Sequence, residues 1–468
     1  MAQPTAVLLV VGLNRSLLKS APLLGAFANK GAVRSVTPVL PAVTCSVQSS
    51  MLTGLSPKGH GIVGNGWYNR DAAEVQFWKQ SNHLVRGEKV WETAKRRDPA
   101  VTVANLFWWF NMYSSADYSV TPRPIYKADG RKIPDCYSEP PDLRNQLQNR
   151  LGPFPLFRFW GPGSSIESSR WIAHAAKFVF EQHRPTLNLV YLPHLDYALQ
   201  KLGPAAPGIA DAAAEIDAIA GDLIDFYENR GVRVVIVSEY CIEEVHGAVR
   251  INRFLREEGV LRVREEQGLE LLDPGASRAF AVADHQVAHV YVQEPDDLEP
   301  CRDLCRALHG VEQVLDRAAQ VGEGIGHDRA GDLVLVAESG HWFSYGYWLD
   351  DSRAPDFART VDIHRKPGYD PVELFLDPKI AFPKLSLAWR LLKRRLGFRT
   401  LLDVIPLDTG LVKGSHGRVD QPRDSRPVLI TRTEASGEQE DIPATGVRDV
   451  ILEHLFGPSQ AVTAGRNP

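Results

Sequence analysis

Five short apolar runs rich in β-branched residues punctuate this chain: AVLLVV (6–11), VTVANL (101–106), LNLVYL (187–192), VRVVIV (232–237) and GDLVLVA (331–337). None alternates polar with apolar residues. A strand with one face in water alternates, so an unbroken run predicts a strand covered on both faces, as in a parallel sheet. Segments of helical spacing lie between the runs. SRWIAHAAKFVFEQH (169–183) repeats apolar residues on one helix face. GIADAAAEIDAIAGDLIDFYENRG (208–231) is alanine-rich and stops at a glycine. Strands alternating with helices predict an α/β fold built on a doubly wound, mostly parallel sheet.

The 468 residues are enough for one large α/β domain with an insertion. Residues 67–165 break the pattern. They hold LFWWFNMYSSADYSVTPRPIYKADGRKIPD (106–135) and GPFPLFRFWGPG (152–163), crowded with aromatics and turn residues. The expected division is therefore a core of 1–66 and 166–432 and an inserted region at 67–165. That region is either a cap over the functional site or a satellite aromatic core. From 433 to 468 the chain is polar and is expected to be peripheral.

Hydrophobic residues are 44% and charged residues 24% of the chain, with a formal net charge of −4, which gives no support to a nucleic-acid or anionic-membrane partner. Cys301 and Cys305 lie one helical turn apart, but no second pair accompanies them. The five cysteines therefore read as free thiols in a reducing compartment. The opening MAQPTAVLLVVGLNRS lacks the flank and cleavage pattern of a signal peptide, and its apolar run is too short to span a bilayer, so a cytoplasmic location is expected. One basic segment, KLSLAWRLLKRRLGF (384–398), puts Leu385, Trp389, Leu392 and Leu396 on one face. Such a helix either packs that stripe on the core or contacts a membrane surface or partner protein.

The stretch with most chemistry in it is LPAVTCSVQSSMLTGLSPKGHGIVGN (40–65). CSVQSSMLTG reads as a short helix ended by Gly54. Thr44 at its start is either an N-cap or a nucleophile at the positive end of a helix dipole. Residue type and spacing leave both open.

The pattern P-x-x-T…TG-x-x-P-x-x-HGI-x-x-N in this stretch resembles the nucleophile region of the alkaline phosphatase superfamily, in its nucleotide pyrophosphatase/phosphodiesterase branch. The resemblance implies an alkaline-phosphatase-like core and a threonine that attacks phosphorus. It also implies an asparagine that binds a phosphoryl oxygen; these slots fall on Thr44 and Asn65. It continues through YLPHLDYALQKLGP (191–204), with Asp196 in a metal-aspartate slot, VVIVSEYCI (234–242) and GSHGRVD (414–420), with His416 as a metal histidine. The family mechanism uses two zinc ions roughly 4 Å apart.

The implied ligand set is altered at three places. Val11 stands where the family has an aspartate, Gln200 where it has a histidine, and Glu239-Tyr240 where it has Asp-His. Valine cannot bind a metal, and neutral tyrosine binds poorly. The candidate ligands are then Asp196, Glu239, His364 and His416, for one or two divalent ions, zinc first and manganese or magnesium as alternatives. Asp284, His285 and Asp362 are weaker candidates, with Asp370 beside them; His194 and His246 are weaker still. Arg365 and Lys366 are candidates to replace the charge of a missing metal and bind substrate. SEY, ADHQVAHVYV and DIHRKPGYDPVELF are similar to wording of a bacterial subgroup of this superfamily, often encoded beside prenyltransferase- and sugar-phosphate-cyclase-like proteins. That implies a phosphorylated sugar, cyclitol, nucleotide or isoprenoid as substrate.

Three functions follow as expectations. One is a phosphoric-ester or pyrophosphate hydrolase with Thr44 as nucleophile and Glu239 as base or metal bridge. The second is a phospho-ligand binder that has lost its metals. The third is a scaffold subunit of a biosynthetic complex.

Overall fold

The computed structural model describes residues 1–458 apart from 129–130, 362–365, 383–384, 386–387, 391, 394–395, 399–401 and 433–440. Seven strands from the first half of the chain enter one sheet: β1 (Thr5–Val10), β2 (Ala32–Thr37), β3 (Val103–Leu106), β4 (Tyr118–Pro122), β5 (Cys136–Glu139), β6 (Leu187–Leu192) and β7 (Arg233–Val237). A second sheet has β8 (Ala279–Asp284), β9 (Val287–Val292), β10 (Val311–Leu315) and β11 (Leu333–Ala337), in the order β8-β9-β11-β10 and antiparallel throughout. Two late strands, β12 (Val428–Thr431) and β13 (Asp441–Pro443), return to the first sheet, whose order is β13-β2-β12-β7-β1-β6-β3-β4-β5. Its five central strands, β7 to β4, are parallel.

Helices α1 (Thr44–Thr53), α2 (Ile166–His183), α3 (His194–Leu202), α4 (Gly208–Glu228) and α5 (Val447–Phe456) cover this sheet. α2 and α4 pack together against β6, β3, β7 and β1, while α5 packs with α1 and also reaches β1. β1, touched by both groups, is buried along its whole length, which is why AVLLVV needs no polar residue.

Three expectations change. The stretch 67–165 is not wholly an insertion, because β3, β4 and β5 come from it and form one end of the main sheet. The strand expected at VTVANL (101–106) is β3, while the aromatic crowding around it hid the short strands β4 and β5. The run GDLVLVA lies in the antiparallel second sheet, between β9 and β10; continuous hydrophobicity reported burial on both faces, and direction was a separate matter. Part of the polar tail belongs to the core, since β13 pairs with β2 and α5 buries Val447, Ile451 and Leu455. All five cysteines are free and buried. Among the described residues no helix is long and apolar enough to cross a membrane.

Candidate active site

The carboxyl ends of the parallel strands, where chemistry collects in open α/β sheets, carry the altered motif residues. β1 runs into Val11, β6 runs through Pro193 into α3 with Asp196 in its first turn, and β7 runs into Ser238, Glu239 and Tyr240. β12 is antiparallel to both β7 and β2, so β2 also ends at this edge, and α1 follows it.

Thr44 is the first helical residue of α1. The N-cap position belongs to Val43, in extended conformation with no side-chain cap, so Thr44 does not serve as a cap. Its buried hydroxyl instead meets the Tyr240 hydroxyl at 3.2 Å. Tyr240 donates to Asp196 Oδ1 at 3.1 Å, and the Gln200 amide, one turn along α3, donates to Asp196 Oδ2 at 2.8 Å. Because Tyr240 has one proton and gives it to the carboxylate, its oxygen accepts from Thr44. The result is a directed chain Thr44–Tyr240–Asp196.

A second set of contacts closes the circuit. The Tyr240 ring stacks on His416, with centroids 3.8 Å apart and planes 7° apart, and His416 packs on His285 at 3.9 Å. Tyr369 Oη bonds to His285 Nε2 at 2.9 Å and to Asp284 Oδ1 at 3.2 Å. Asn65 donates to Asp284 through its backbone N–H (2.7 Å) and its amide (3.1 Å), and the same amide reaches Tyr369 (3.1 Å). Asn65 Oδ1 accepts from the backbone N–H of Cys45, which returns the circuit to the residue beside Thr44. His285 sits in a tight β8–β9 turn at φ +58°. Gly417, at φ +132°, lets the His416 loop touch both Ala42 and Gln286; a Cβ there would come within 3.0 Å of the Gln286 nitrogen.

Burial sets the electrostatics. It pushes Asp196 and Asp284 each up to about 6, although their hydrogen-bond donors draw them down. His416 is pushed down to about 3 and His285 well below its usual range, again chiefly by burial. The Ala42 carbonyl can only accept, so His416 Nδ1 carries the proton and donates to it at 2.8 Å. Glu239 is fully buried and its pKa is raised well above the ordinary value by burial and then by Asp196; the Gln48, Thr44 and Tyr240 side chains beside it oppose the rise. None of the three closes to a full hydrogen bond, and both carboxyl oxygens are unpartnered. The Cys45 thiol is raised well above its usual value by burial and by Asp284 and Glu239, so it is inert as a nucleophile.

Glu239→Gln is expected to stabilise the protein at neutral pH. A raised carboxyl pKa means the folded state holds its proton to higher pH than the unfolded chain, so the wild type loses stability as pH rises above the ordinary carboxylate range. The variant has nothing to ionise. Urea denaturation from pH 4 to 8 should show a stability gap that opens upward with pH; a constant gap would show that Glu239 keeps an ordinary pKa.

The structure thus brings together Thr44, Asn65, Asp196, Glu239, Asp284, His285 and His416. Asp362, His364 and Arg365 lie outside the described residues. Lys366 is not a free cation for substrate: it is buried and paired with Glu373 at 2.6 Å, beside a cavity of about 20 Å³ lined also by Ser344, Tyr345 and Asp370. Asp370 accepts from Ser344 Oγ (2.6 Å) and the Tyr345 N–H (3.0 Å) and is not a ligand to the Thr44 centre. His194 pairs with Glu215, and His246 packs edge-on against His341. His60, of the HGI motif, is a structural residue: Ile62 N–H donates to its Nδ1, so its Nε2–H donates to Ser50. Two site residues escaped the sequence reading. Tyr369 stood inside the quoted GYD, but nothing marked its hydroxyl. Gln48 stood mid-helix, where only the fold reveals that it accepts from Trp109 N–H and faces Glu239. Trp78, Trp109 and Trp160, from 67–165, form an aromatic wall around Tyr369.

Among the described residues the donor set does not fit a dizinc centre. Val11 offers no donor atom. Both Asp196 oxygens are engaged, by Gln200 and by Tyr240, the residues standing in two of the implied histidine slots. His416 holds the tautomer of a metal-bound histidine, with Nδ1–H on a carbonyl. Even so, among the described residues no three His, Cys, Asp or Glu side chains converge on a point where a cation would sit. Of the expected ligands Asp196, Glu239, His364 and His416, His364 lies outside the described residues, and Asp196 and His416 are each hydrogen-bonded to protein groups.

The sequence profile described as type I phosphodiesterase / nucleotide pyrophosphatase matches residues 5–370. Among curated proteins, the chain is 24% identical to an uncharacterised pyrophosphatase/phosphodiesterase of Schizosaccharomyces pombe over 214 residues, 43% of this chain and 36% of that protein. It is 22% identical to ectonucleotide pyrophosphatase/phosphodiesterase family member 1 of Rattus norvegicus over 232 residues, 48% of this chain and 22% of that one. The chain therefore spans little more than a third of the length of the first of these relatives and less of the second. Murine ectonucleotide pyrophosphatase/phosphodiesterase 5, solved in an inactive form in complex with AMP, superposes with a TM-score of 0.59 at 12% identity, covering 98% of this chain and 96% of that one. Phosphonoacetate hydrolase from Sinorhizobium meliloti, solved with phosphonoformate, gives 0.60 at 15%, covering 97% and 95%. At these identities the likeness shows a shared fold.

Proposed function

Because this chain belongs to the type I phosphodiesterase / nucleotide pyrophosphatase family, we propose that it hydrolyses a phosphoric ester or pyrophosphate with Thr44 as the nucleophile. The observation that carries the reading is the Thr44–Tyr240–Asp196 chain at the N-terminus of α1. A hydroxyl is a weak nucleophile until a base takes its proton. Here Thr44 passes its proton to Tyr240 Oη as Tyr240 passes its own to Asp196, whose pKa near 6 suits a base working near neutrality. Thr44 Oγ then forms the bond to phosphorus, and the leaving oxygen departs with its bonding pair. In the second half, water attacks the phosphothreonine and yields its proton to solvent or phosphate. Thr44 Oγ leaves and recovers its proton from Asp196 through Tyr240.

The α1 N-terminus supplies partial positive charge to the phosphoryl oxygens, and Asn65 holds that terminus in place through Cys45. Release of the Asn65 amide from Asp284 and Tyr369 would offer it to a phosphoryl oxygen. The family resemblance implies a divalent metal, but the described donors do not fit one and no step here runs through it. The substrate is a phosphorylated small molecule, in keeping with the AMP and phosphonoformate found bound in the structural relatives.

A second reading, a non-catalytic phospho-ligand binder, is favoured by one observation: Gln200 and Tyr240 bond Asp196 themselves and close the former metal position. Acid quenching during turnover of nitrophenyl phosphate esters and nucleotide pyrophosphates, followed by peptide mass spectrometry, separates the two. Phosphate on Thr44, absent in Thr44→Ala, is the expected result. Saturable nucleotide binding with neither phosphothreonine nor product would establish the binder.

A further inference from the structure

We propose that the exposed apolar side chains Phe382, Leu385, Trp389, Leu392, Leu396 and Phe398 dock the protein on an anionic lipid surface. The apolar stripe expected to pack on the core does not do so. Leu385 is 69% exposed, Trp389 57%, Leu392 46% and Leu396 64%, and the flanking Phe382 and Phe398 are 76% and 64% exposed. Among the described residues, every large apolar side chain more than 60% exposed lies in this segment, the initiator methionine excepted. Scattered single exposures are ordinary on a protein surface; a contiguous group of large ones marks an interaction site.

The base of the segment is fixed. Asp377 N–H donates to the Val404 carbonyl at 2.8 Å, Arg359 holds the Asp377 carboxylate at 3.3 Å, and the buried Ile405 donates to the Arg359 carbonyl. Asp377 and Val404, which bracket residues 378–403, are therefore tied together on the protein. Arg390 is anchored to Asp403 at that base, while Lys393 lies over the Trp389 ring with its side chain at the surface.

Charge identifies the occupant. Between residues 378 and 402 the sequence holds seven basic residues, Lys379, Lys384, Arg390, Lys393, Arg394, Arg395 and Arg399, and no Asp or Glu. The whole chain carries a formal charge of −4, so this is a local reversal of sign. Bulky aromatic and leucine side chains joined to a basic flank are the composition of interfacial segments that sink into the headgroup–acyl boundary of anionic bilayers. A protein partner would also accept the apolar face, but it would not by itself require seven cations and no anion. Residue 378 follows Tyr369 by nine positions, so docking through this segment would hold the Thr44 site close to the bilayer surface.

The test is flotation of the full chain with vesicles of phosphatidylcholine alone or mixed with phosphatidylglycerol. The expected result is flotation with the anionic vesicles only, weakened several-fold between about 0.1 M and 0.5 M salt by screening. Leu385→Asp with Trp389→Asp, at exposed positions that leave the core intact, should cut the bound fraction at least about tenfold. Lys379→Glu with Lys393→Glu should remove the preference for phosphatidylglycerol. The proposal fails if the wild type floats with neither vesicle, or if the Leu385/Trp389 variant floats as well as the wild type while its melting curve is unchanged. A wild-type dimer by sedimentation velocity, broken by the Leu385/Trp389 variant in a protein that ignores vesicles, would overturn it in favour of a second copy of this chain.

Discussion

Tyr240→Phe is expected to lower kcat by about 10²–10³-fold and to remove the acid limb of the pH profile, because the hydroxyl it deletes links Thr44 to Asp196, and no other hydrogen-bonded link joins them among the described residues. In the wild type, Asp196 must be ionised to receive the proton. Its pKa near 6 therefore places a rise in kcat through about pH 6. Asp196 and Glu239 influence each other, so this midpoint belongs to the pair rather than to one residue. In the variant, Thr44 has no route to Asp196, and residual turnover should be flat across the same range. The fold should survive. Asp196 keeps its bond from Gln200, and leaving Oδ1 unpaired should cost about 1–3 kcal/mol. A purely structural role for Tyr240 would lower the melting temperature and leave the limb in place. That outcome, or a kcat within a few-fold of wild type, would remove the relay from the mechanism.

The same reasoning explains how the site could change without its scaffold changing. The strand ends and helix starts that present ligands in this family are all present: Val11 after β1, Asp196 and Gln200 on α3, and Glu239-Tyr240 after β7. What differs is the atom each side chain brings to the centre. Valine removes charge, glutamine neutralises and donates, and tyrosine fills space while offering a hydroxyl. The three together leave Asp196 satisfied by protein groups, where a lone buried carboxylate would need a cation. Glu239 is the exception, with two orphaned oxygens, and it marks the place where the centre is least settled.

Much of this was legible beforehand, for identifiable reasons. Buried strands need apolar residues on both faces, so β1, β6 and β7 stood out from AVLLVV, LNLVYL and VRVVIV. So did β3 from VTVANL; the strands β4 and β5 did not, because they are five and four residues long and lie among aromatics and turn residues. Thr44 and Asn65 were legible from motif spacing. The partnership of Asn65 with Asp284 was not, since it joins residues 219 positions apart and depends on how the second sheet sits on the first. Position also misled. Lys366 stood next to candidate ligands in sequence and turned out to be neutralised by Glu373 seven residues later, which no local pattern announces.

Asp370 offers a sharper contrast between reading and structure, and a large effect to measure. In sequence it is a plausible metal ligand; in the fold it is a buried carboxyl pushed up to about 7, chiefly by burial and partly by Glu373, against the opposing pull of Ser344, Tyr345 and Lys366. Asp370→Asn keeps its contacts. The amide oxygen can accept from Tyr345 N–H, and the amide nitrogen can donate to Ser344 Oγ. Its folded pKa lies above the unfolded one, so the carboxyl's contribution to stability is complete below the ordinary carboxylate range and is lost as pH rises towards 7. The variant loses nothing over that interval. Its stability relative to wild type should rise by about 2–4 kcal/mol between pH 4 and pH 8, from the roughly three-unit shift. Urea denaturation at pH 4, 5.5, 7 and 8 measures it. A metal-ligand role predicts the opposite sign, with the variant weaker at neutral pH and the deficit growing when divalent ions are added, because the carboxylate would then be ionised and paired in the native state. An opening gap in favour of asparagine, indifferent to added zinc or magnesium, places Asp370 in the framework that holds Tyr345 and leaves the chemistry to the Thr44 circuit.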